Sequence, residues 1–241
     1  MEQLQRELNR IWEIDVLRAL AICLMVIYHT VYDLNVFVNV AIDYTSTFWF
    51  WEGKIAALIF IFVSGISSGL SSRNIVYTGL KILIFAMVIT VVTYLVLGDE
   101  YIRYGILHFL GTCMVLFPLL KRFDVWGLTV IAIVIFVMFL AFREMLVDTF
   151  WFLPIGIAYA GFRSVDFYPL FPYLSVYICG VISYKLYYYK KKSLFSYSYS
   201  NPFVQKISKH SLLIYIVHQP IIIGVILFFD LLFNMFIMSK V

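Results

Sequence analysis

The sequence predicts an all-α, polytopic integral membrane protein, a bundle of about seven transmembrane helices. Three observations lead there. Hydrophobic residues make up 63% of the chain and charged residues 13%, against roughly a quarter charged in soluble domains. Mean hydropathy is +0.94. Several uncharged apolar runs also approach or exceed roughly 18 residues, enough to cross a bilayer core as a helix. The runs are continuous rather than alternating, which argues against a barrel.

The spans fall near 14–33, 54–72, 75–97, 104–120, 124–142, 170–189 and 211–234, and the chain 1–241 reads as one membrane domain. The second and third are joined by Ser71-Ser72-Arg73-Asn74, the fourth and fifth by Lys121-Arg122-Phe123-Asp124. Links this short predict antiparallel neighbours. Gly65-Ile66-Ser67-Ser68-Gly69 in the second span places small residues one turn apart, a face suited to close helix packing. The longest extracytoplasmic connection is 143–169, and a basic cytoplasmic loop, 190–210, carries Lys190, Lys191 and Lys192.

Lys and Arg set the orientation. Thirteen, from Arg6 to Lys209, fall on one side, and five (Lys54, Arg103, Arg143, Arg163 and Lys240) on the other. The N-terminus is therefore expected in the cytoplasm and the C-terminus outside, in the plasma membrane. The first thirteen residues are polar and amphipathic, so no cleavable signal peptide is expected. The net charge of +4 follows from topology and implies no nucleic-acid role. Cys23, Cys113 and Cys179 lie in apolar runs without C-x-x-C spacing and read as buried small hydrophobes, not as a metal or disulfide set.

The first span carries the unusual chemistry. At about 100° per residue, Asp15, Arg18, His29 and Asp33 share one helical stripe, with Arg18 and His29 about 16 Å apart along the axis. An arginine at mid-membrane costs about 2.5–3.5 kcal/mol on insertion scales, so such groups are candidates for function. The bland alternative is that Arg18 snorkels to the inner surface and His29 caps the outer end. Asp33, four residues after His29, is placed to orient its ring. His108 begins the fourth span and His218 lies in the seventh, where Ser211, Tyr215 and His218 interrupt an apolar run. Both are expected at a depth near that of His29. In the 143–169 connection, Arg163 and Asp166 are candidates for binding, while Trp151 suits either a sugar or the membrane interface.

Five segments together resemble the bacterial proteins related to heparan-alpha-glucosaminide N-acetyltransferase. They are Arg10-Ile-Trp-Glu-Ile-Asp-Val-Leu-Arg18, Phe60-Ile-Phe-Val-Ser-Gly-Ile-Ser-Ser-Gly69 and Arg103-Tyr-Gly-Ile-Leu-His-Phe-Leu-Gly111, followed by Ser164-Val-Asp-Phe-Tyr-Pro-Leu-Phe-Pro172 and His210-Ser-Leu-Leu-Ile-Tyr-Ile-Val-His-Gln-Pro220. The spacing of Arg18 and His29 also looks like the first-helix signature of transmembrane acyltransferases more broadly. The resemblance implies transfer of an acetyl group from cytosolic acetyl-CoA to an extracytoplasmic sugar amine or hydroxyl.

By that resemblance Arg18, with Asp15, would hold part of the CoA. His29, with Asp33, would carry acyl transfer as general base or transiently acetylated nucleophile. Arg103, His108, Arg163, Asp166, His218 and Gln219 would serve the acceptor. One departure concerns the first helix: the animal lysosomal enzyme has asparagine where this chain has His29, with its proposed catalytic histidine farther along. No histidine lies between residues 30 and 107 here, so the first-helix histidine of the broader pattern is the expected group. A homodimer is one way to enclose a site in so small a bundle.

The rival reading is a transporter or lipid- or glycan-handling protein, since a polar intramembrane track serves transport equally well. A retinal receptor is disfavoured because residues 211–234 contain no lysine. Haem or metal binding is disfavoured because no histidines are paired at i,i+3 or i,i+4.

Overall fold

The computed structural model describes residues 11–38 and 40–238, so Arg6, Arg10 and Lys240 of the charge count lie outside the described residues. Among the described residues the chain forms eight α-helices: α1 Trp12–Val38, α2 Thr47–Leu70, α3 Ile75–Leu97, α4 Ile106–Leu120, α5 Val125–Phe142, α6 Leu170–Ser183, α7 Pro202–Lys209 and α8 Ser211–Met238. Their starts are written in the sequence. Asn74 accepts from the Tyr77 amide ahead of α3, and Asp124 from the Gly127 amide ahead of α5, each satisfying an orphan helix-end donor.

Among the described residues, five helices are long and apolar enough to cross a membrane: α1, α2, α3 with the turn that follows it, α5 and α8. Their outward faces are apolar; Leu95 on α3 is 76% exposed and Trp126 on α5 78%. Lipid tolerates such surfaces and water does not. Helix α4 is apolar but shorter, about 22 Å long at 1.5 Å per residue. Helix α6 stops at Ser183 and continues as a single wide π-turn, Tyr184–Tyr188.

The chain divides into two compact units, one built from the residues up to Phe60 and from Phe195 onward, the other from Ile61–Leu194. In the first, α1 packs along α7 and α8. Trp12 anchors its start: its indole N–H donates to the Tyr197 carbonyl at 2.9 Å, and its ring meets those of Phe195, Tyr197 and Tyr199.

In the second unit the extensive pairings are α3 with α4 and α5 with α6. The Lys121–Asp124 link thus connects two pairs, and α4 and α5 are not each other's main neighbours as the short link suggests. Glycine decides where backbones meet. A Cβ at Gly79 would stand 2.8 Å from the Gly111 carbonyl. The small-residue face of α2 behaves as expected: a Cβ at Gly65 would fall on the Tyr177 carbonyl of α6, beside Gly180. The Tyr177 hydroxyl donates to Ser68 at 2.7 Å in the same seam.

Two cysteine expectations need correction. Cys113 is buried, but Cys23 and Cys179 are exposed. A helix facing lipid gains nothing by burying its small apolar residues, so hydrophobicity does not report burial here.

Candidate functional site

In the first unit, the stripe on α1 faces α7 and α8 along its length. At its start, the buried Ser208 hydroxyl donates to Asp15 Oδ1 at 2.5 Å and accepts from Arg18 Nη1 at 3.2 Å. One hydroxyl therefore bridges a carboxylate and a guanidinium. Ser208 thus ties α7 to both Asp15 and Arg18 near the start of α1. Ser208 sits in the last turn of α7, inside the stretch read as a basic loop. The start signal was present: Asn201 accepts from the Phe203 and Val204 amides, and Pro202 occupies the first helical position.

Three turns further along α1, His29 meets His218 of α8, with ring centroids 4.8 Å apart and planes at 57°. Tyr28 lies edge-on to His29, and Tyr215, stacked on Phe60, contacts His218. His218 Nδ1 is 2.7 Å from the Tyr215 carbonyl oxygen. A carbonyl only accepts, so Nδ1 carries the proton and Nε2 of the neutral ring presents its lone pair. That Nε2 is buried without a hydrogen-bond partner among the described residues. Pro220, which cannot donate to the carbonyl four residues back, interrupts the α8 ladder next to this point.

One turn beyond His29, Asp33 is fully buried. Its two oxygens accept from Gln219 Nε2 at 2.8 and 3.0 Å. The expectation that Asp33 orients the His29 ring is therefore not met: the facing amide of α8 takes both oxygens. With its nitrogen so held, Gln219 presents Oε1, which is buried and has no partner among the described residues. The cluster thus offers two buried acceptors, His218 Nε2 and Gln219 Oε1, beside the His29 ring.

The other candidates lie in the second unit, and their polar atoms are engaged differently. Thr90 gives its one hydroxyl proton to the Ile102 carbonyl at 2.7 Å. Its oxygen, 3.2 Å from His108 Nε2, is therefore the acceptor of that N–H. His108 Nδ1 accepts in turn from the Gly105 amide at 3.2 Å, satisfying the backbone donor just ahead of α4. Asp166 Oδ2 accepts from the Ile106 amide at 3.0 Å, so it too caps α4. A Cβ at Gly105 would fall on that oxygen, which is why glycine stands there. Arg103 Nη1 donates to the carbonyls of Asp99 and Arg163, and its guanidinium lies 4.1 Å from the Tyr101 ring centroid. Arg163 reaches Glu100 at 3.7 Å, an exposed pair of small energetic weight. These four residues hold the turn before α4 in place.

Comparison with known proteins agrees with the sequence reading. The family model described as heparan-alpha-glucosaminide N-acetyltransferase, catalytic, matches residues 10–220. No curated protein and no solved structure matches the chain.

Proposed function

Since the chain belongs to the heparan-alpha-glucosaminide N-acetyltransferase family, we propose that it passes an acetyl group from cytosolic acetyl-CoA to an amine or hydroxyl of an extracytoplasmic sugar. The observation that carries this reading is the His29–His218 pair, 4.8 Å between ring centroids, with an unpaired, buried lone pair on His218 Nε2. A neutral imidazole lone pair is suited to taking a proton from an amine or hydroxyl during attack on a thioester. In that step the new bond to the acetyl carbon forms, the carbon–sulfur bond breaks, the proton goes to imidazole and CoA leaves as the thiolate.

Arg18, hydrogen-bonded to the Ser208 hydroxyl that also meets Asp15, supplies positive charge for the donor at the cytoplasmic entrance. His29 carries the acyl transfer, as general base or as a transiently acetylated nucleophile. Gln219, fixed by Asp33, offers an acceptor for the substrate's N–H or O–H. Arg103, His108, Arg163 and Asp166 contribute to the acceptor side by fixing the start of α4. This chemistry is read on one membrane domain of seven spans, N-terminus in the cytoplasm, in the plasma membrane.

The test uses full-length protein in proteoliposomes, with acetyl-labelled acetyl-CoA on the cytoplasmic side and glucosamine-type acceptors outside. Label should reach the acceptor with wild type and not with His29→Ala, while both proteins melt alike. Failure of wild type to turn over any acyl-CoA with any such acceptor would sink the reading and favour a transporter.

A further inference from the structure

The connection between α5 and α6 is a built surface. The Val147 amide donates to the Ala158 carbonyl at 3.0 Å, the Val165 amide to the Glu100 carbonyl at 3.1 Å, and the Tyr168 amide to the Tyr104 carbonyl at 2.9 Å. Between these ties runs a short 3-10 helix, Phe150–Ile155, that ends at Gly156 with φ +108°, a conformation open to glycine. The segment walls a cleft of about 500 Å³, within the range of small-molecule sites.

The lining is aromatic with a few polar groups. Tyr101, Trp151 and Tyr159 contribute rings, and Thr90, Arg103 and Asp148 line the same space. The Arg103 charge is already engaged by two carbonyls and the Tyr101 face. Asp148 has no hydrogen-bond partner among the described residues, and neither phenol, of Tyr101 or Tyr159, has one. Trp151 is 75% exposed and stacks on Phe150, with centroids 4.7 Å apart. An unpaired carboxylate is not stable among lipid tails, so this cleft opens to water.

We propose that this cleft is a carbohydrate site: it holds a hexopyranose ring with its C–H face on the Trp151 and tyrosine rings and its hydroxyl or amine donors on Asp148 and the free phenols. Flat rings beside isolated acceptors match the two-sided character of a sugar, apolar above and below and polar around the edge. A lipid tail would leave Asp148 unmet. A polyphosphate would meet a free carboxylate and only an already engaged arginine. The tied loop makes the site preorganised, so little ordering cost opposes binding.

The inference does not need acyl transfer, and it is tested without a donor. Full-length protein in nanodiscs is titrated with a glucosamine trisaccharide, read by saturation-transfer NMR and calorimetry. Wild type and His29→Ala should bind alike. Trp151→Ala and Asp148→Asn should each weaken binding by about tenfold or more, the loss of one stacked face or one charge-assisted hydrogen bond. Both changes are at exposed residues and should leave the melting temperature unchanged. Tyr159→Ala, from another wall of the cleft, provides a second stacking variant. Absence of binding by wild type would overturn the inference, as would unchanged binding in Trp151→Ala, Tyr159→Ala and Asp148→Asn. Binding by a wild type that shows no acetyl transfer would overturn the acetyltransferase reading and leave the carbohydrate site standing.

Discussion

His218 and His108 are two buried histidines on apolar helices, and they do opposite things with the same ring. His108 gives one nitrogen to a threonine oxygen and the other to a backbone amide. Its tautomer is set, and no lone pair or N–H remains. His218 gives one nitrogen to a carbonyl and leaves the other buried and unpaired. Leaving a polar group unpaired in a dry interior costs about 1–3 kcal/mol. A fold bears that cost where something else is to be bound, and avoids it where the ring serves only as structure. The acids differ likewise: Asp166 caps a helix, whereas Asp33 holds a glutamine whose oxygen stays open.

The sharpest test of this contrast is His218→Ala. Removing a proton acceptor should lower kcat for label transfer by about 10²–10⁴-fold with little change in melting temperature, whereas a stability loss with normal kcat would make His218 a structural ring. Next in size is Gln219→Leu, which strips the buried Asp33 carboxylate of its donor. It should lose about 1–3 kcal/mol of stability in denaturant or thermal unfolding, along with activity. Unchanged stability would show that Asp33 has other support.

Ser208→Ala removes the hydroxyl that bonds both Asp15 and Arg18. It should raise KM for the acyl donor by several-fold, about 1 kcal/mol of binding, and leave kcat nearly as it was; a fall in kcat alone would place Arg18 in the chemistry. The smallest effect on transfer belongs to His108→Leu. Loss of the acceptor for the Gly105 amide should cost about 1–3 kcal/mol of stability and leave label transfer within a few-fold of wild type. Abolished transfer in a fully stable His108→Leu protein would erase the distinction between the two histidines.

Much of the first cluster was legible because helical periodicity is rigid. Once 14–33 reads as a helix, Asp15, Arg18, His29 and Asp33 must share a face, and each does meet α7 or α8. The third span matched at 75–97, and the fifth began one residue from its expected start, because Asn74 and Asp124 mark their own helix ends. What stayed hidden depends on which partner each polar atom takes, a choice that periodicity does not fix. Nothing in the letters says that Tyr215 offers a carbonyl to His218, that Thr90 occupies His108, or that Gln219 rather than His29 claims Asp33. Helix α7 was missed for another reason: its lysines gave the segment the look of a topogenic loop, and the Asn201-Pro202 start was overridden by charge.

Helix α1 also works as a ruler. Arg18 and His29 stand on one unbroken helix, so their spacing along the axis is set at about 16 Å by backbone geometry alone. If Arg18 grips the donor and His29 reacts with it, as proposed, the donor must bring its reactive carbon across that fixed span. One inserted residue would turn His29 about 100° away from His218, whereas a full turn would keep the facing and lengthen the reach by about 5–6 Å. On that reading, the donor arm length that fits is set first by the geometry of this single helix.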